Sequence, residues 1–442
     1  IKAVMPTWAF SPKFRSNQDV MVQMDDSVSK WLEKTPNHTC FRINRLKGFN
    51  IQKLEHILLS QRNTLNLNEI PQYFFVRPDC LIIYQWPETI VREKGKHEVI
   101  VDAACGAAVL RGSHVYAPGV LGLPPGCTLD ALVDIYADLD EKCKRGLKVE
   151  YLGNKKYVGT GYLKKLRSHL FDEGIQPSGV AVETVCPESK LVVVNETCFS
   201  SGHVVLQNLP SIVCSWVVNP QPNEKILDMC AAPGNKTTHL GEMSYNKAFI
   251  TAIDRTEKKV ELIKKNCEMQ DLTCINAFAY DSRKIHSESG NESGPPPYPS
   301  NYFDKILLDA PCSGLGQRPR LIRNNMSPKM LQSYKHVQRK LFEAAVKVLK
   351  EGGKLVYSTC TITIEENEGL VKWALDSFPN IKLIAADPLC GGPGLANSGL
   401  TDTERAMMQR FGPQEDPLRP VDSIYKNSIG FFIAAFEKHD NN

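Results

Sequence analysis

The sequence predicts an α/β protein: an open, parallel, doubly wound sheet in the C-terminal half, preceded by a small β-barrel and an N-terminal α+β segment. Three observations carry that expectation. After Leu209-Pro210, short apolar runs alternate with amphipathic helical stretches, a pattern that implies right-handed βαβ units. Before it, residues 99–187 break into short β-like runs between Gly and Pro turns, the texture of a small barrel. The apolar run 305–308 ends on Asp309, Pro311 and Cys312, and 354–357 ends on Ser358, Thr359 and Cys360. Open α/β sheets bind their ligands outside such strand ends.

A chain of 442 residues is too long for one core, and we divide it into 1–98, 99–187 and 188–442. In the first part, Phe41-Arg42-Ile43-Asn44 reads as a short strand. Residues 50–61 read as a helix with Ile51, Leu54, Ile57 and Leu58 on one face. In the second, β-like runs fall at 98–102, 108–110, 132–136, 156–159 and 179–185. In the third, strands are expected at 225–229, 249–253, 276–280, 303–308 and 354–357. Helices are expected at 236–243, 257–269 (Val260, Leu262 and Ile263 inward) and 330–349. The run between 282 and 302 is too polar and Pro-rich to pack and reads as an exposed loop. The tail 429–436 is a last hydrophobic strand, antiparallel at a sheet edge or in a terminal hairpin.

Composition excludes several classes. Hydrophobic content of 42% and charged content of 23% are those of a soluble globular protein. No apolar run approaches the ~18 residues that span a bilayer, so no membrane partner is expected. Fourteen cysteines occur without a C-x-x-C pair, which argues for reduced thiols in a cytoplasmic protein and against a structural metal site. Net charge is only +4, but residues 141–167 hold nine Lys or Arg against two acids. A charge run alone is most often a solvated face.

The loop after the first strand of the C-terminal sheet, Cys230-Ala231-Ala232-Pro233-Gly234-Asn235-Lys236, lets a ligand approach the backbone and opens a helix N-terminus. It is neither a dinucleotide nor a Walker loop. The next two strands end on Asp254, suited to ribose hydroxyls, and Asp281, suited to an adenine amino group. One Asp after a strand usually caps a helix. Three polar strand ends in succession point instead to a phosphate-free nucleoside cofactor, S-adenosyl-L-methionine. A lone buried Cys is most often inert filling, yet Cys312 and Cys360 share a rim beyond two strand ends. Methylating cytosine at C5 needs a thiolate to add to C6, an acid near N3 such as a protonated Asp309, and a second group to remove the C5 proton. Two thiols and one acid match that list.

At these residues the chain resembles the Nsun (Fmu/Sun-type) RNA cytosine-5 methyltransferases, whose signatures are CAAPGGKT, DAPCSG and STCT. They stand here as CAAPGNKT at 230–237, DAPCSG at 309–314 and STCT at 358–361. The 41–44 stretch and Gly430-Phe431-Phe432 also match family positions. The resemblance implies a Rossmann-like class I methyltransferase domain, Cys360 as nucleophile, Cys312 as the release thiol, and Lys236 with Asp309 near the target base. Residues 109–120 resemble the signature of a PUA domain, an RNA-binding barrel, which implies RNA contacts at Arg111 and Tyr116. In that context the basic run becomes an RNA face (Lys144, Arg145, Lys155, Lys156, Lys164 and Lys165). The branch of the family with an inserted PUA domain acts on tRNA at the acceptor end, beside the CCA tail. The expected protein is thus a monomeric tRNA methyltransferase with an N-terminal RNA-recognition segment. A methyltransferase for ribosomal or messenger RNA, and a catalytically weak RNA-binding protein, are the alternatives. One departure from the family is Asn235 in place of the second loop glycine, expected to take a left-handed conformation that Asn tolerates.

Overall fold

The computed structural model describes residues 26–322, 326–413 and 423–440, so the first 25 residues of the expected N-terminal segment lie outside it. Three sheets make up the molecule. The N-terminal sheet is antiparallel in the order Val204–Leu206, His38–Ile43, Cys80–Tyr84, Tyr73–Arg77. Helix Ile51–Thr64 packs on it through the fully buried Leu54 and Leu58, and Asn50 caps the helix by accepting the Lys53 amide. The return of the chain at Val204–Leu206 has a consequence for the expected division. Val192, Val194 and Phe199 share the core of Phe41 and Leu54. The stretch just after residue 188 therefore packs with the N-terminal sheet, and residues 97–187 are inserted within that sheet's connectivity.

The inserted part is a six-stranded mixed sheet whose strands follow an open path rather than a hydrogen-bonded ring. Four of the five β-like runs are strands: His97–Val101, Leu132–Asp138, Lys155–Leu163 and Val180–Pro187. The fifth, 108–110, belongs instead to helix Ala103–Leu110. Asp102 caps that helix by accepting the Cys105 amide at 2.7 Å. A three-residue apolar run has no period, so the Asp cap and the alanines before it decided the outcome. Val109 and Leu110 then enter the core formed by Val99, Ile135, Val158 and Val182.

The C-terminal sheet runs Ile275–Ala279, Phe249–Asp254, Lys225–Asp228, Phe303–Asp309, Leu349–Thr359, Phe431–Lys438, Ile381–Ile384. The first five strands are parallel, with the first in sequence at the centre. Strand order reverses there, which opens a crevice at the strand ends. Alternation along Phe303–Asp309 builds both cores. Ile306 and Leu308 face helix Pro328–Val348, while Leu307 faces helix Leu209–Val218. Each such fully buried side chain contributes about 1.5–3 kcal/mol.

Three expectations need correction here. The tail strand is antiparallel as expected but interior, paired on one side with Leu349–Thr359 and on the other with Ile381–Ile384. Its uninterrupted apolar run is that of a strand covered on both faces. In helix Glu257–Met269 the inward residues are Val260, Ile263 and Cys267, while Leu262 is 47% exposed. At about 100° per residue, position 262 lies on the far side from 260. The Pro-rich run is not wholly exposed either: Ile285 and Tyr298 are buried, and Tyr298 stacks on Tyr302 at 5.1 Å.

Candidate active site

Five strand ends meet on one rim. Asp228, Asp254 and Asp309 are the last residues of their strands, Asp281 follows Ile275–Ala279, and Cys360 follows Leu349–Thr359. Register aligns Asp309 with Ser358, so the residues flanking the two thiols begin side by side. The thiols themselves lie with Sγ atoms 3.4 Å apart. Asp309 accepts from Lys236 Nζ on one oxygen and from the Ser358 hydroxyl on the other, both at 2.7 Å. One Asp309 oxygen thus faces the Lys236 ammonium and the other the Ser358 hydroxyl. Burial works against the Lys236 charge, yet the Asp309 carboxylate holds its pKa above the ordinary value. The Phe431 ring lies 5.2 Å from Nζ and walls the ammonium on another side.

The two thiols are not alike. The Cys312 S–H donated to Cys360 brings the Cys360 thiol down to about 7 against the penalty of burial, and Gln317 and Lys236 assist. Cys312 is pushed up by the same hydrogen bond and by burial. The pair thus divides into one lowered and one raised thiol.

The loop before helix Asn235–Met243 is tied down from several directions. Cys230 packs its side chain against the core, and burial raises its thiol well above the ordinary range. The Ala231 amide donates to Ile253 O at 2.9 Å, and the Ala232 amide to Asp254 Oδ2 at 3.2 Å. Pro233 O accepts from Asn266 at 2.8 Å. Gly234 takes the left-handed turn, with φ +107°, and a Cβ there would stand 3.3 Å from Ile263 Cα. Asn235 is the first helical residue, so the expected left-handed Asn is overturned: the strain falls on the glycine retained before it. Asp254 is further bound by Lys259 at 3.0 Å, and Asp281 is clasped by Arg283, which lowers its pKa.

Two functional positions escaped sequence reasoning. Asp228 is buried under the loop, where burial raises its carboxyl to about 7. One oxygen accepts from Thr237, and the other has no hydrogen-bond partner among the described residues. Arg42 is fully buried between the N-terminal sheet and the loop helix. It donates to Asn235 O, Thr238 Oγ1, Gln207 and Gln270 and pairs with Glu242 at 3.0 Å. Its place in the 41–44 stretch was the available signal.

The residues expected to contact RNA belong to the inserted sheet and the segments between its strands. Tyr116 is 44% exposed, and Arg111 and Lys144 are also exposed. Arg145 turns onto the carbonyls of Pro118 and Val120 and the ring of Phe171. Lys155 is paired with Glu98, and Lys164 with Asp130 and Glu183. Lys156 and Lys165 are half-buried.

A family profile described as "16S rRNA methyltransferase RsmB/F" matches residues 215–436. The human protein "tRNA (cytosine(72)-C(5))-methyltransferase NSUN6" is 38% identical over 93% of this chain and 91% of its own length. A tRNA (cytosine(72)-C(5))-methyltransferase of Pyrococcus horikoshii is 32% identical over 93% of this chain and 92% of its own. The crystal structure of NSun6 from Pyrococcus horikoshii with SFG superposes with a TM-score of 0.69 at 27% identity, covering 94% of each chain. With two thiols on the rim of a Rossmann-like sheet and these relatives spanning nearly its whole length, the chain belongs to the Nsun (RsmB/F-type) family of S-adenosylmethionine-dependent RNA cytosine-5 methyltransferases.

Proposed function

We propose that the chain methylates C5 of a cytosine at the acceptor end of tRNA, with Cys360 as nucleophile and Cys312 as release thiol. The single observation that carries the assignment of roles is the pair of Sγ atoms 3.4 Å apart beside the Lys236–Asp309 ion pair. The named activity of the relatives supports the substrate.

The residues present suit S-adenosylmethionine, which when bound supplies an electrophilic methyl group on a sulfonium. Asp254 suits the ribose hydroxyls and Asp281 the adenine amino group. The backbone from Cys230 to Lys236 and the helix N-terminus behind it form the floor. The Cys360 thiolate adds to C6, and Lys236, held by Asp309, gives the adduct a positive neighbour at the N3 side. The electron pair freed at C5 would take up that methyl carbon as its bond to the sulfonium sulfur breaks, leaving a neutral thioether. Bonding to C6 removes the Cys360 charge, and with it the like charge that held Cys312 up. Cys312 then gives up its own proton to solvent and, as a thiolate, takes the C5 proton. The C5–C6 double bond re-forms as the Cys360–C6 bond breaks.

The inserted six-stranded unit is, in this reading, a PUA domain that grips RNA through Arg111, Tyr116, Lys144, Lys156 and Lys165. Lys155 and Lys164 shape that face while neutralised by Glu98, Asp130 and Glu183, and Arg145 is held by backbone carbonyls and the Phe171 ring. A working thiol pair requires reduced cysteines, which supports a cytoplasmic address. A monomer suffices, because one chain holds all these residues. Among the described residues no helix is long and apolar enough to cross a membrane.

The test exploits the order of the two thiols. Cys360→Ala should bind cofactor and RNA but form neither 5-methylcytosine nor a covalent complex. Cys312→Ala should methylate once and stall, leaving a protein–RNA complex that survives denaturing electrophoresis. A trapped complex with Cys360→Ala alone would exchange the roles, and normal turnover by both variants would refute the covalent mechanism.

A further inference from the structure

Two adjacent residues in the loop beyond Cys360, Glu366 and Asn367, are both fully buried, yet each holds the backbone of a different thiol. Glu366 Oε1 accepts the Ser313 amide and Gln338 Nε2, both at 2.9 Å. Its Oε2 accepts the Ser313 hydroxyl at 2.5 Å and the Thr363 hydroxyl at 2.9 Å. Gln338 Nε2 also donates to Pro311 O at 3.0 Å. The carbonyl before Cys312 and the amide after it are thus fixed around one carboxylate. Asn367 Oδ1 accepts the Thr359 hydroxyl at 2.6 Å, and its Nδ2 donates to Thr361 O at 3.1 Å, which grips the residues on either side of Cys360. The two loops also meet directly, with Ser313 Oγ and Thr361 Oγ1 2.7 Å apart. Since the Ser313 proton is given to Glu366, Thr361 is the donor there. Tyr357, on the strand leading to Cys360, donates to Glu366 O at 2.7 Å and pins the frame to the sheet.

We propose that Glu366 and Asn367 are positioning residues that together set the separation of the two thiols, Glu366 through the Cys312 loop and Asn367 through the Cys360 loop. This rests on the roles assigned above to Cys360 and Cys312. Neither residue reaches solvent, so both act through the loops they hold. Because the thiols act in sequence, losing the two holds has different consequences. Without Asn367, Cys360 is misaimed and the adduct forms slowly. Without the Glu366 carboxylate, Cys312 is misplaced when the C5 proton must leave, and the adduct persists.

The experiment uses Glu366→Gln, Asn367→Ala and Ser313→Ala, with Cys312→Ala as reference. Each variant is incubated with S-adenosylmethionine and a tRNA transcript and run on a denaturing gel. In parallel, the cofactor-free protein is alkylated with iodoacetamide across pH, and modified Cys360 is counted by peptide mass spectrometry. Asp309, Lys236, Gln317 and Arg320 also influence the Cys360 thiol and stay unchanged throughout. A misplacement of this kind should cost about 100-fold in turnover for Glu366→Gln and Asn367→Ala. Glu366→Gln and Ser313→Ala should accumulate the covalent complex, and Asn367→Ala should not. The pH midpoint of Cys360 alkylation should rise in all three, because the Cys312 thiol no longer reaches it. Folded variants with an unmoved midpoint, or equal losses with no difference in trapping, would overturn the proposal. If Glu366→Gln did not fold, Ser313→Ala would decide, since it breaks the same chain from the loop side and leaves the carboxylate its other donors. If Cys312→Ala trapped nothing, the thiol roles would fall. The alkylation midpoint would still judge the positioning.

Discussion

At Cys360 a neighbouring thiol outweighs burial and brings the thiol down to about 7. Its value is lowered from the ordinary thiol range, so the thiolate is lost as pH falls through about 7 and complete above it. The single-turnover rate should therefore rise about tenfold per pH unit below that value and level off above it. In Cys312→Ala the donor is gone, and the break in the profile for the methyl-transfer step should move to higher pH. A profile that breaks at the same pH in both proteins would show that Cys312 does not tune its neighbour. Asp254 is the second residue whose partners speak to function. If it holds the cofactor ribose, Asp254→Ala should weaken S-adenosylmethionine binding by about 1.5–3 kcal/mol, the scale of hydrogen bonds to charged groups. Calorimetry on folded variant protein with unchanged affinity would remove Asp254 from the site.

Among elements, the loop helix Asn235–Met243 depends on a strand remote in sequence. Arg42 of His38–Ile43 meets the Asn235 carbonyl at the start of that helix, and the buried Glu242 pairs with it directly at 3.0 Å. Removing one partner of such a pair leaves the other charged and dry. Arg42→Met should cost about 3–5 kcal/mol of stability, read from the denaturant midpoint. Adding Glu242→Gln should recover much of that loss, while cofactor binding stays weakened because the start of the loop helix, Asn235 O and Thr238, has still lost its tie to Arg42. Full recovery of cofactor affinity in the double variant would reduce Arg42 to a structural ion pair. The strand ends, the loop and the helix that starts at Asn235 were legible in sequence because each is local. Arg42 was not, because its partners Gln207, Thr238, Glu242 and Gln270 are spread along the chain and only folding assembles them.

At the scale of the whole molecule, the N-terminal sheet links the other two bodies. Its hairpin turn brings Asp79 to Trp216 at 2.8 Å and His239 at 2.9 Å, which fastens it to two helices of the C-terminal domain. Helix Asp26–Glu33 reaches further, packing Val28 and Leu32 against Leu315 and Ile362, next to both thiol loops. The inserted sheet carries the basic face, and its charge pairing refines what that face should do. Replacing Lys155, Lys156, Lys164 and Lys165 by Ala should weaken RNA binding and flatten its salt dependence. Lys155 and Lys164 are already neutralised by Glu98, Asp130 and Glu183. The Lys156→Ala, Lys165→Ala pair alone should therefore account for most of the change, with each lost phosphate contact reducing the slope by about 0.7–0.9. An identical salt slope in the fourfold variant would return the segment to an ordinary solvated surface.

The alternation of strands and helices between residues 225 and 357 and the rim those strands end on were determined by the sequence alone. Alternating patterns and strand-end residues are written within a few positions of one another, and local physics reads them. Tertiary structure decided the rest. It turned 108–110 into the end of a helix, moved the tail strand from the edge to the interior, and returned the chain after the insertion to the sheet where it began. It also gave Asp309 its Lys236 partner, buried Asp228 under the loop, and set Glu366 and Asn367 behind the thiols. These are matters of which distant groups share a dry volume. Burial and charge pairing depend on three-dimensional neighbours, so no spacing along the chain encodes them in readable form.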